Sequence, residues 1–376
     1  MKLTINKKAL SAAMADVDRV VENRNTIPIL GNVLLQAAET LTITGTNLDA
    51  EMCVQVPANV EMSGSTTVPS GLLAKLARSM PADSHGDLAL ELSENGHELQ
   101  IIAARSHYNL PTLPCEDFPS MQGPDDKPVT MALPGSTLAG LLQRVAHSMC
   151  NEETRFYLCG VYLHVDDDSE QPHLTAVATD GKQLAKNRIL APQGATAEMP
   201  GIIIHERTVR YIIHWLENHP DDVSFRVDQK KIAIEAGPNR LTSKLVDGTF
   251  PDYERVIPKD NSICLEIDAA AIADAIGRTK ALDTGKESGA LVMELGADTL
   301  CFSARSLDDA SAREEFTVDF DGDDFRMGFT INLADTVFSA VPGKTAKLHL
   351  DSAGSPALLI PDDEPEVTLV LMGRRV

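Results

Sequence analysis

Apolar residues recur at helical spacing in three widely separated segments of the chain. Most fall three or four positions apart, which places them on one face of an amphipathic helix. The predicted helices begin near residues 10, 138 and 272, and their apolar faces consist of Leu10, Met14, Val17 and Val21; of Leu138, Leu141, Leu142, Val145 and Met149; and of Ile272, Ala275 and Ile276. The starts lie about 130 residues apart, so the same element is expected once in each third of the chain.

A second series of helices follows the first by about 65 to 70 residues. Each member begins after a β-rich stretch and ends near a helix-interrupting residue. Their apolar faces consist of Leu72, Leu73, Leu76 and Met80; of Val209, Ile212, Ile213 and Leu216; and of Val337, Phe338 and Val341. Six helices in two interleaved series are therefore predicted.

Between the helices the apolar pattern changes to alternation, which predicts β-strands. Three stretches occupy matching places, each with a strand, a polar turn and a second strand: TLTITGTNLDAEMCVQV, HLTAVATDGKQLAKNRI and TLCFSARSLDDASAREEF. In the middle stretch, Asp180-Gly181 supplies the residue types that a tight hairpin turn needs.

A repeat of about 130 residues is too long for a solenoid, whose units have about 20–50 residues, and indicates tandem domains. The polar, proline-bearing segments 122–130 and 257–262 are the predicted linkers. We therefore predict three domains, 1–123, 130–253 and 260–376, of the α+β class. Each would carry two helices on one face of antiparallel sheets.

The composition is that of a globular protein with aliphatic cores, since 43% of the 376 residues are hydrophobic and only 4% are aromatic. No apolar run approaches the ~18–20 residues that span a bilayer, and the first ten residues do not resemble a signal peptide. We therefore expect a cytoplasmic protein without membrane contact. The net charge of −22 argues against nucleic acid as a partner, because affinity for phosphate comes from Lys and Arg.

No motif in the sequence indicates catalysis, a cofactor or a metal. Phosphate-binding, serine-hydrolase and zinc-protease patterns are absent. The DFDGDD stretch is not a calcium loop, because Gly322 stands fourth where the sixth place is needed, and Thr330 stands where a bidentate Glu belongs. The six cysteines form no Cys-x-x-Cys pair and are expected to be reduced, buried thiols.

Four strings along the chain resemble a known family, the β sliding clamp, which is the processivity subunit of bacterial replicative DNA polymerases. They are NTIPILGNVLL, HSMCNEETRFYLCGV, AVATDGKQLA and TSKLVDGTFPDYERVIPK. The resemblance implies three similar domains per chain and a head-to-tail homodimeric ring around double-stranded DNA, without sequence preference. It also implies that polymerase, clamp loader and repair proteins bind through short peptides.

A closed ring answers the objection from charge, because topology retains it on DNA without strong direct attraction. Contact with DNA then depends on where the basic residues lie and not on the net charge. Many of them fall on or beside the predicted helices. By resemblance, or by this placement, the candidate DNA-binding residues are Arg24, Lys75, Arg78, Phe156, Tyr157, Arg207 and Arg210. The alternative is that the Lys and Arg residues of this set only occupy the solvent-exposed faces of amphipathic helices. Glu152, Glu206 and a last helix without basic residues depart from the family, so weaker DNA contact is expected.

The resemblance also implies a cleft that receives apolar side chains of partner peptides. Carried over position by position, its residues are Leu158, Thr179, Gly181, Leu184, Pro251, Arg255, Val256, Val370, Leu371 and Met372. The alternative is that some of these are ordinary strand core. The terminus LMGRRV departs from the family, and we expect Gly373 to make the tail flexible and Arg374 to favour acidic peptides. Deleting residues 373–376 is expected to weaken peptide binding without opening the dimer.

In the family, edge strands of the first and third domains pair to close the ring. Leu72, Leu73 and Leu76, with Ile272 and Ile276, are expected either at that joint or in the cores. Two alternative functions remain open: a clamp-like paralogue that acts as a partner-binding decoy, and an acidic scaffold that does not bind DNA.

Overall fold

The computed structural model describes residues 1–22, 26–81, 86–125, 127–166, 171–281, 289–306 and 310–376. Arg24 therefore lies outside the described residues. All six predicted helices are confirmed. Their bounds are α1 (Lys7–Val17), α2 (Ser70–Ser79), α3 (Gly135–Ala146), α4 (Glu206–Glu217), α5 (Ala269–Lys280) and α6 (Ile331–Ser339). Four short 3-10 helices are also present in these ranges: Pro28–Gly31, Cys115–Asp117, Glu153–Leu158 and Tyr253–Val256.

The chain divides into two compact units. One consists of Met1–Leu138, Pro192–Ala195 and Tyr211–Leu245, and the other of Ala139–Ala191, Thr196–Arg210 and Val246–Val376. Each unit contains two antiparallel sheets of the described strands.

The sheets of the first unit have five and eight strands. In spatial order the five-stranded sheet is β5 (Ala58–Met62), β1 (Lys2–Asn6), β7 (Asp87–Leu92), β8 (Glu98–Ala103) and β9 (Ser106–Pro111). The eight-stranded sheet is β10 (Val129–Pro134), β15 (Asp222–Val227), β16 (Lys231–Ala236), β17 (Asn239–Lys244), β4 (Ala50–Val56), β3 (Leu41–Thr46), β2 (Asn32–Ala37) and β6 (Gly64–Pro69).

The sheets of the second unit have eight and four strands. In spatial order the eight-stranded sheet is β14 (Ile202–His205), β11 (Gly160–Asp166), β12 (His173–Thr179), β13 (Gln183–Leu190), β25 (Thr368–Leu371), β24 (Ala357–Pro361), β23 (Thr345–Leu350) and β18 (Ile263–Asp268). The four-stranded sheet is β21 (Ser311–Thr317), β20 (Thr299–Arg305), β19 (Ala290–Gly296) and β22 (Phe325–Thr330).

Both eight-stranded sheets join strands from consecutive repeats. In the first unit β17 pairs antiparallel with β4, and Leu241 lies opposite Met52. In the second unit β13 pairs antiparallel with β25, and Leu184 lies opposite Val370. These two pairings make each sheet continuous from one repeat to the next, so the compact units do not coincide with the sequence repeats.

The helices begin where strands end, and in the described residues the side chains of Asn6, His205 and Asp268 accept hydrogen bonds from the first turns of α1, α4 and α5. Asn6 accepts a hydrogen bond from the Lys8 backbone N–H (3.0 Å), and Asp268 accepts one from that of Ala271 (2.9 Å). Such caps satisfy backbone donors that have no partner inside the helix. The predicted stripe of the first helix is one turn too long, because α1 ends at Val17 and Val21 is buried in the turn that follows.

The residues expected at the ring joint or in the cores differ in burial. Leu73, Ile272 and Ile276 are fully buried core residues, but Leu72 is 42% exposed. Leu76 is half-buried. The period of α2 explains this, because its buried positions are Leu73, Ala74 and Ala77, and Leu72 falls on the opposite side.

All six cysteines are free, but the expectation that they are buried is wrong for half of them. Cys150, Cys159 and Cys301 are buried, Cys53 and Cys115 are half-buried, and Cys264 is exposed. Cys264 lies on β18, an edge strand of its sheet within the described residues, where alternate side chains face solvent. No helix in the described ranges is both long and apolar enough to cross a bilayer.

A close approach at Gly45 fixes α1 on its sheet. A Cβ atom at this position in β3 would lie 2.6 Å from Cγ1 of Val17 and 2.8 Å from Cγ2 of Val21. Both neighbours are β-branched and have few alternative rotamers. We expect Gly45→Ala to lower the free energy of unfolding by about 1–3 kcal/mol, as overpacked cores do, in urea titrations followed by circular dichroism.

Gly31→Ala is the matched control, because no atom lies within 4 Å of a Cβ built there. Its free energy of unfolding should change by less than about 0.5 kcal/mol. Equal effects of the two substitutions would contradict the packing account of Gly45.

Candidate functional site

An apolar pocket of about 150 Å³ opens on the second compact unit. It lies where the β12–β13 hairpin, the end of β25 and the segment 251–256 meet. The residues that line it are Leu158, Thr179, Gly181, Lys182, Gln183, Leu184, Pro251, Asp252, Tyr253, Val256, Val370 and Met372.

The hairpin between β12 and β13 forms one side of the pocket, and its turn is the one predicted from Asp180-Gly181. Gly181 has a φ of +85°, which favours glycine. The Asp180 carboxylate accepts hydrogen bonds from the backbone N–H groups of Lys182 (2.7 Å) and Gln183 (2.9 Å), and Thr179 Oγ1 donates to the Gln183 carbonyl (2.6 Å). These bonds hold the turn in one conformation.

The floor of the pocket is part of a continuous hydrophobic core. The buried members of that core are Cys150, Leu158, Cys159, Val177, Leu184, Ile203, Phe250, Tyr253, Leu358 and Val370. Leu184 and Val370 are each 2% exposed and are register partners in neighbouring strands. The floor is therefore fixed by the packing of the sheet.

The segment 251–256 forms the opposite wall. Tyr253 is nearly buried and Val256 is 49% exposed, so the wall has an anchored part and an open part. Asp252 pairs with Arg255 across 2.7 Å. Both partners are largely solvent-exposed, and such an ion pair contributes little to stability.

The rim of the pocket carries a cation and a buried amide. Lys182 is exposed, and none of the ion pairs among the described residues involves its ammonium group. Gln183 is 6% exposed and donates through Nε2 to the His147 carbonyl and to Asp180 (both 3.3 Å). The arrangement suits an apolar ligand that presents a carboxylate to Lys182.

Eight of the ten residues that were expected in the cleft line this pocket. Arg255 and Leu371 do not line it, because Leu371 is fully buried in β25 and Arg255 faces solvent beside a neighbouring groove. Four lining residues were missed: Lys182, Gln183, Asp252 and Tyr253. Lys182, Gln183 and Asp252 are each adjacent in sequence to an expected residue, and Tyr253 lies two positions from Pro251; the tight turns that bring near neighbours to one side were the available signal.

The expectation of a flexible tail is wrong. The backbone N–H of Arg374 donates to the Gly328 carbonyl (2.7 Å), and the Gly328 N–H donates back (3.0 Å), which ties the tail to β22. A Cβ at position 373 would lie 2.7 Å from the Ser355 carbonyl oxygen, so glycine is needed there for close packing. Arg374 does not line the pocket, and Lys182 is the cation that does. The expected effect of deleting residues 373–376 stays a prediction.

The described DNA-binding candidates are accessible. Lys75 and Arg78 are exposed on α2, and Arg207 and Arg210 are exposed on α4. Phe156 is 52% exposed. Its ring contacts that of the half-buried Tyr157 edge to face, with 5.7 Å between centroids.

Three family models match the chain in succession. They describe the N-terminal domain of the DNA polymerase III beta subunit over residues 1–122, its central domain over 132–252 and its C-terminal domain over 254–375.

Whole proteins of this kind match over the full chain. A beta sliding clamp of Caulobacter vibrioides is 37% identical over 378 residues, and one of Pseudomonas putida is 32% identical over 380, each with 100% of both chains covered. A crystal structure of the C. crescentus clamp matches with a TM-score of 0.94 and 36% identity, over 100% of this chain and 99% of that one. A Bartonella birtlesii clamp bound to griselimycin matches with a TM-score of 0.93 and 32% identity, with both chains covered completely.

One histidine behind the pocket makes stability depend on pH. Burial lowers the pKa of the His147 imidazole to about 4, while an unfolded histidine titrates near ~6.5. Below that pH the unfolded chain binds a proton that the folded chain does not. The free energy of unfolding should therefore fall by about 2–3 kcal/mol between pH 6.5 and 4 on account of this group.

His147→Gln should remove that part of the pH dependence in urea titrations, because glutamine does not titrate. The backbone carbonyl at position 147, which accepts a hydrogen bond from Gln183 Nε2, remains. His97→Gln, at an exposed histidine, is the matched control and should leave the dependence unchanged. Identical pH profiles for the two variants would contradict this assignment.

Proposed function

This chain belongs to the DNA polymerase III beta subunit family, the bacterial sliding clamps, and from that premise we propose which of its residues hold DNA and which receive partner proteins. The chain is a DNA sliding clamp and a non-catalytic processivity factor for a replicative polymerase. The decoy and scaffold alternatives are not favoured, because the match covers all three repeats and the whole length.

We propose that two copies close head to tail around duplex DNA in the bacterial cytoplasm. The proposed domains are 1–123, 130–253 and 260–376, and the ranges of the three family models support them. Within the described residues, β9 and β21 are edge strands of their sheets. Their free backbone groups suit pairing with a second copy. No cofactor has a part in this function.

The proposed DNA contacts are the exposed cations of α2 and α4, Arg24 in its loop, and the Phe156–Tyr157 pair. The support is that the six helices together carry nine Lys and Arg against five Asp and Glu, although the whole chain carries a charge of −22. Contacts of Lys and Arg with phosphate do not depend on base sequence, as a sliding protein requires.

The proposed partner site is the apolar pocket around Leu184. Apolar anchors in such a pocket supply most of the binding free energy of a short peptide. The exposed Lys182 ammonium favours peptides with an acidic residue beside the anchors. This replaces Arg374 as the physical basis of the acidic preference.

Charge reversal of Arg24, Arg207 and Arg210 to Glu tests the DNA contacts. We expect the variant, once loaded by a clamp loader, to dissociate faster from linear DNA, because weaker contacts let the ring slide off the ends sooner. Its lifetime on circular DNA should change much less, because there the ring must open. Single-molecule residence times on both templates measure this.

A control variant reverses three strand cations, Lys231, Lys244 and Lys347, and changes net charge by the same amount. Its lifetime on linear DNA should stay close to that of the wild type. If both triple variants behave alike, the loss is a general effect of charge and the assigned contacts are wrong.

Fluorescence anisotropy with a labelled peptide containing Leu-Asp-Leu-Phe, whose apolar anchors flank a carboxylate, tests the partner site. Leu184→Asp buries a carboxylate in the pocket floor and should weaken binding more than about 100-fold, since such a charge costs several kcal/mol. Lys182→Gln should weaken binding about twofold to fivefold, as expected for one exposed ion pair.

The Leu-Asn-Leu-Phe analogue is the matched control for charge. Lys182→Gln should leave its affinity unchanged. Unaltered affinity for both peptides in the Leu184→Asp variant would show that partners bind elsewhere.

A further inference from the structure

We propose that a hydrogen bond between Tyr253 and His164, supported by the aromatic stack beside it, positions one wall of the pocket and thereby sets its affinity for partner peptides. The inference rests on the proposed function of the pocket. It assigns to His164 and Tyr162, which do not line the pocket, the role of positioning residues.

The wall that these residues hold has little backbone structure of its own. Pro251 and Asp252 lie in a loop, and Tyr253–Val256 is a single 3-10 turn. Short turns of this kind have weaker hydrogen-bond geometry than α-helices. Side-chain contacts with the neighbouring sheet must therefore fix where the wall stands.

The hydrogen bond joins the wall to β11. His164 Nε2 lies 2.9 Å from the Tyr253 hydroxyl oxygen, between residues 89 positions apart in sequence. Tyr253 is only 8% exposed although it lines the pocket. Tyr253 thus contributes to the pocket wall while its hydroxyl group bonds to β11.

Burial keeps both partners of this hydrogen bond uncharged. Burial, together with the negative charges of Glu254 and Asp166, raises the pKa of the Tyr253 phenol. Burial lowers the pKa of the His164 imidazole. At neutral pH the hydrogen bond therefore joins an uncharged phenol and an uncharged imidazole.

A stack of aromatic rings ties the other end of the same segment to the same strand. Tyr162, two residues before His164 on β11, stacks on Phe250 with 4.9 Å between centroids and 4° between planes. It also stacks on His164, at 4.9 Å and 30°. A Cβ at position 201 would lie 2.2 Å from the Tyr162 hydroxyl oxygen, so Gly201 leaves room for this ring.

Phe250 and Tyr253 flank the two loop residues of the wall, and each is held by one of two side chains on the same face of β11. A further contact comes from β13, where Lys186 lies 5.5 Å from the centre of the Tyr253 ring and 2.5 Å from the Glu254 carboxylate. The wall is thus fixed before a ligand arrives. A preformed wall spares the peptide the cost of ordering it.

Peptide affinity of four variants tests the proposal, with the labelled Leu-Asp-Leu-Phe peptide as the probe. Tyr253→Phe keeps the ring and loses the hydroxyl group, and His164→Leu loses the ring nitrogen that bonds it. Each should weaken binding about threefold to tenfold, the range for one buried neutral hydrogen bond. The double variant should be no weaker than either single one, because both remove the same interaction. His164→Gln restores a hydrogen-bonding group, because its amide can accept or donate, and should bind within about twofold of the wild type.

His97→Leu, at an exposed histidine outside the second unit, is the matched control and should not change affinity. Thermal unfolding of every variant separates a folding defect from a positioning effect. Additive losses in the double variant, or lowered melting temperatures with unchanged affinity, would overturn the positioning role.

Different results would contradict the peptide-binding role of the pocket and the positioning role of the Tyr253–His164 hydrogen bond. If the Leu184→Asp variant binds the peptide as tightly as the wild type does, the pocket is not the peptide site and both proposals are wrong. If Leu184→Asp abolishes binding while Tyr253→Phe and His164→Leu bind like the wild type, only the positioning role is wrong.

Discussion

Antiparallel pairing between strands of consecutive repeats is the interaction on which this structure depends. Without it each repeat would end its sheet in an open edge, with unpaired backbone groups that solvent or another chain must satisfy. The pairings of β4 with β17 and of β13 with β25 remove four such edges, two at each joint. The pocket lies at the second of these joints, where the backbone N–H of Met372 donates to the Lys182 carbonyl across 2.9 Å.

The two joints share one turn geometry but differ in one decisive residue. Leu48, with a φ of +75°, stands in the first hairpin where Gly181 stands in the second, and the Thr46 hydroxyl group donates to the Ala50 carbonyl just as Thr179 donates to Gln183. Three positions after Leu48, the first joint carries Glu51. Three positions after Gly181, the second joint carries Leu184. Glu51 is 4% exposed and accepts a hydrogen bond from the Met121 backbone N–H (2.8 Å). A carboxylate held by its own chain fills the first joint, while an apolar side chain leaves the second open for a ligand.

Local pattern predicted much of this fold, and long-range pairing accounts for what it missed. The six helices and the turn at Gly181 depend on nearby residues, so their spacing was sufficient. The continuous sheets depend on register between strands far apart in sequence, which a local pattern does not specify. Leu371 was misplaced because alternate residues of a strand face opposite sides. The tail and the Tyr253–His164 bond follow from contacts over tens of residues, for which the sequence contained no signal.

Strand pairing between two copies also explains how an acidic chain can act as a clamp on DNA. A ring closed by strand pairing is retained by topology, so a net charge of −22 is compatible with DNA as a partner. Closure needs a second copy, because within the described residues β9 and β21 remain edge strands. Light scattering on the chain eluting from a size-exclusion column at micromolar concentration tests this most directly. The account predicts a mass of about 81 kDa, twice that of one 40.6 kDa chain, and a species of 40.6 kDa under the same conditions would contradict it.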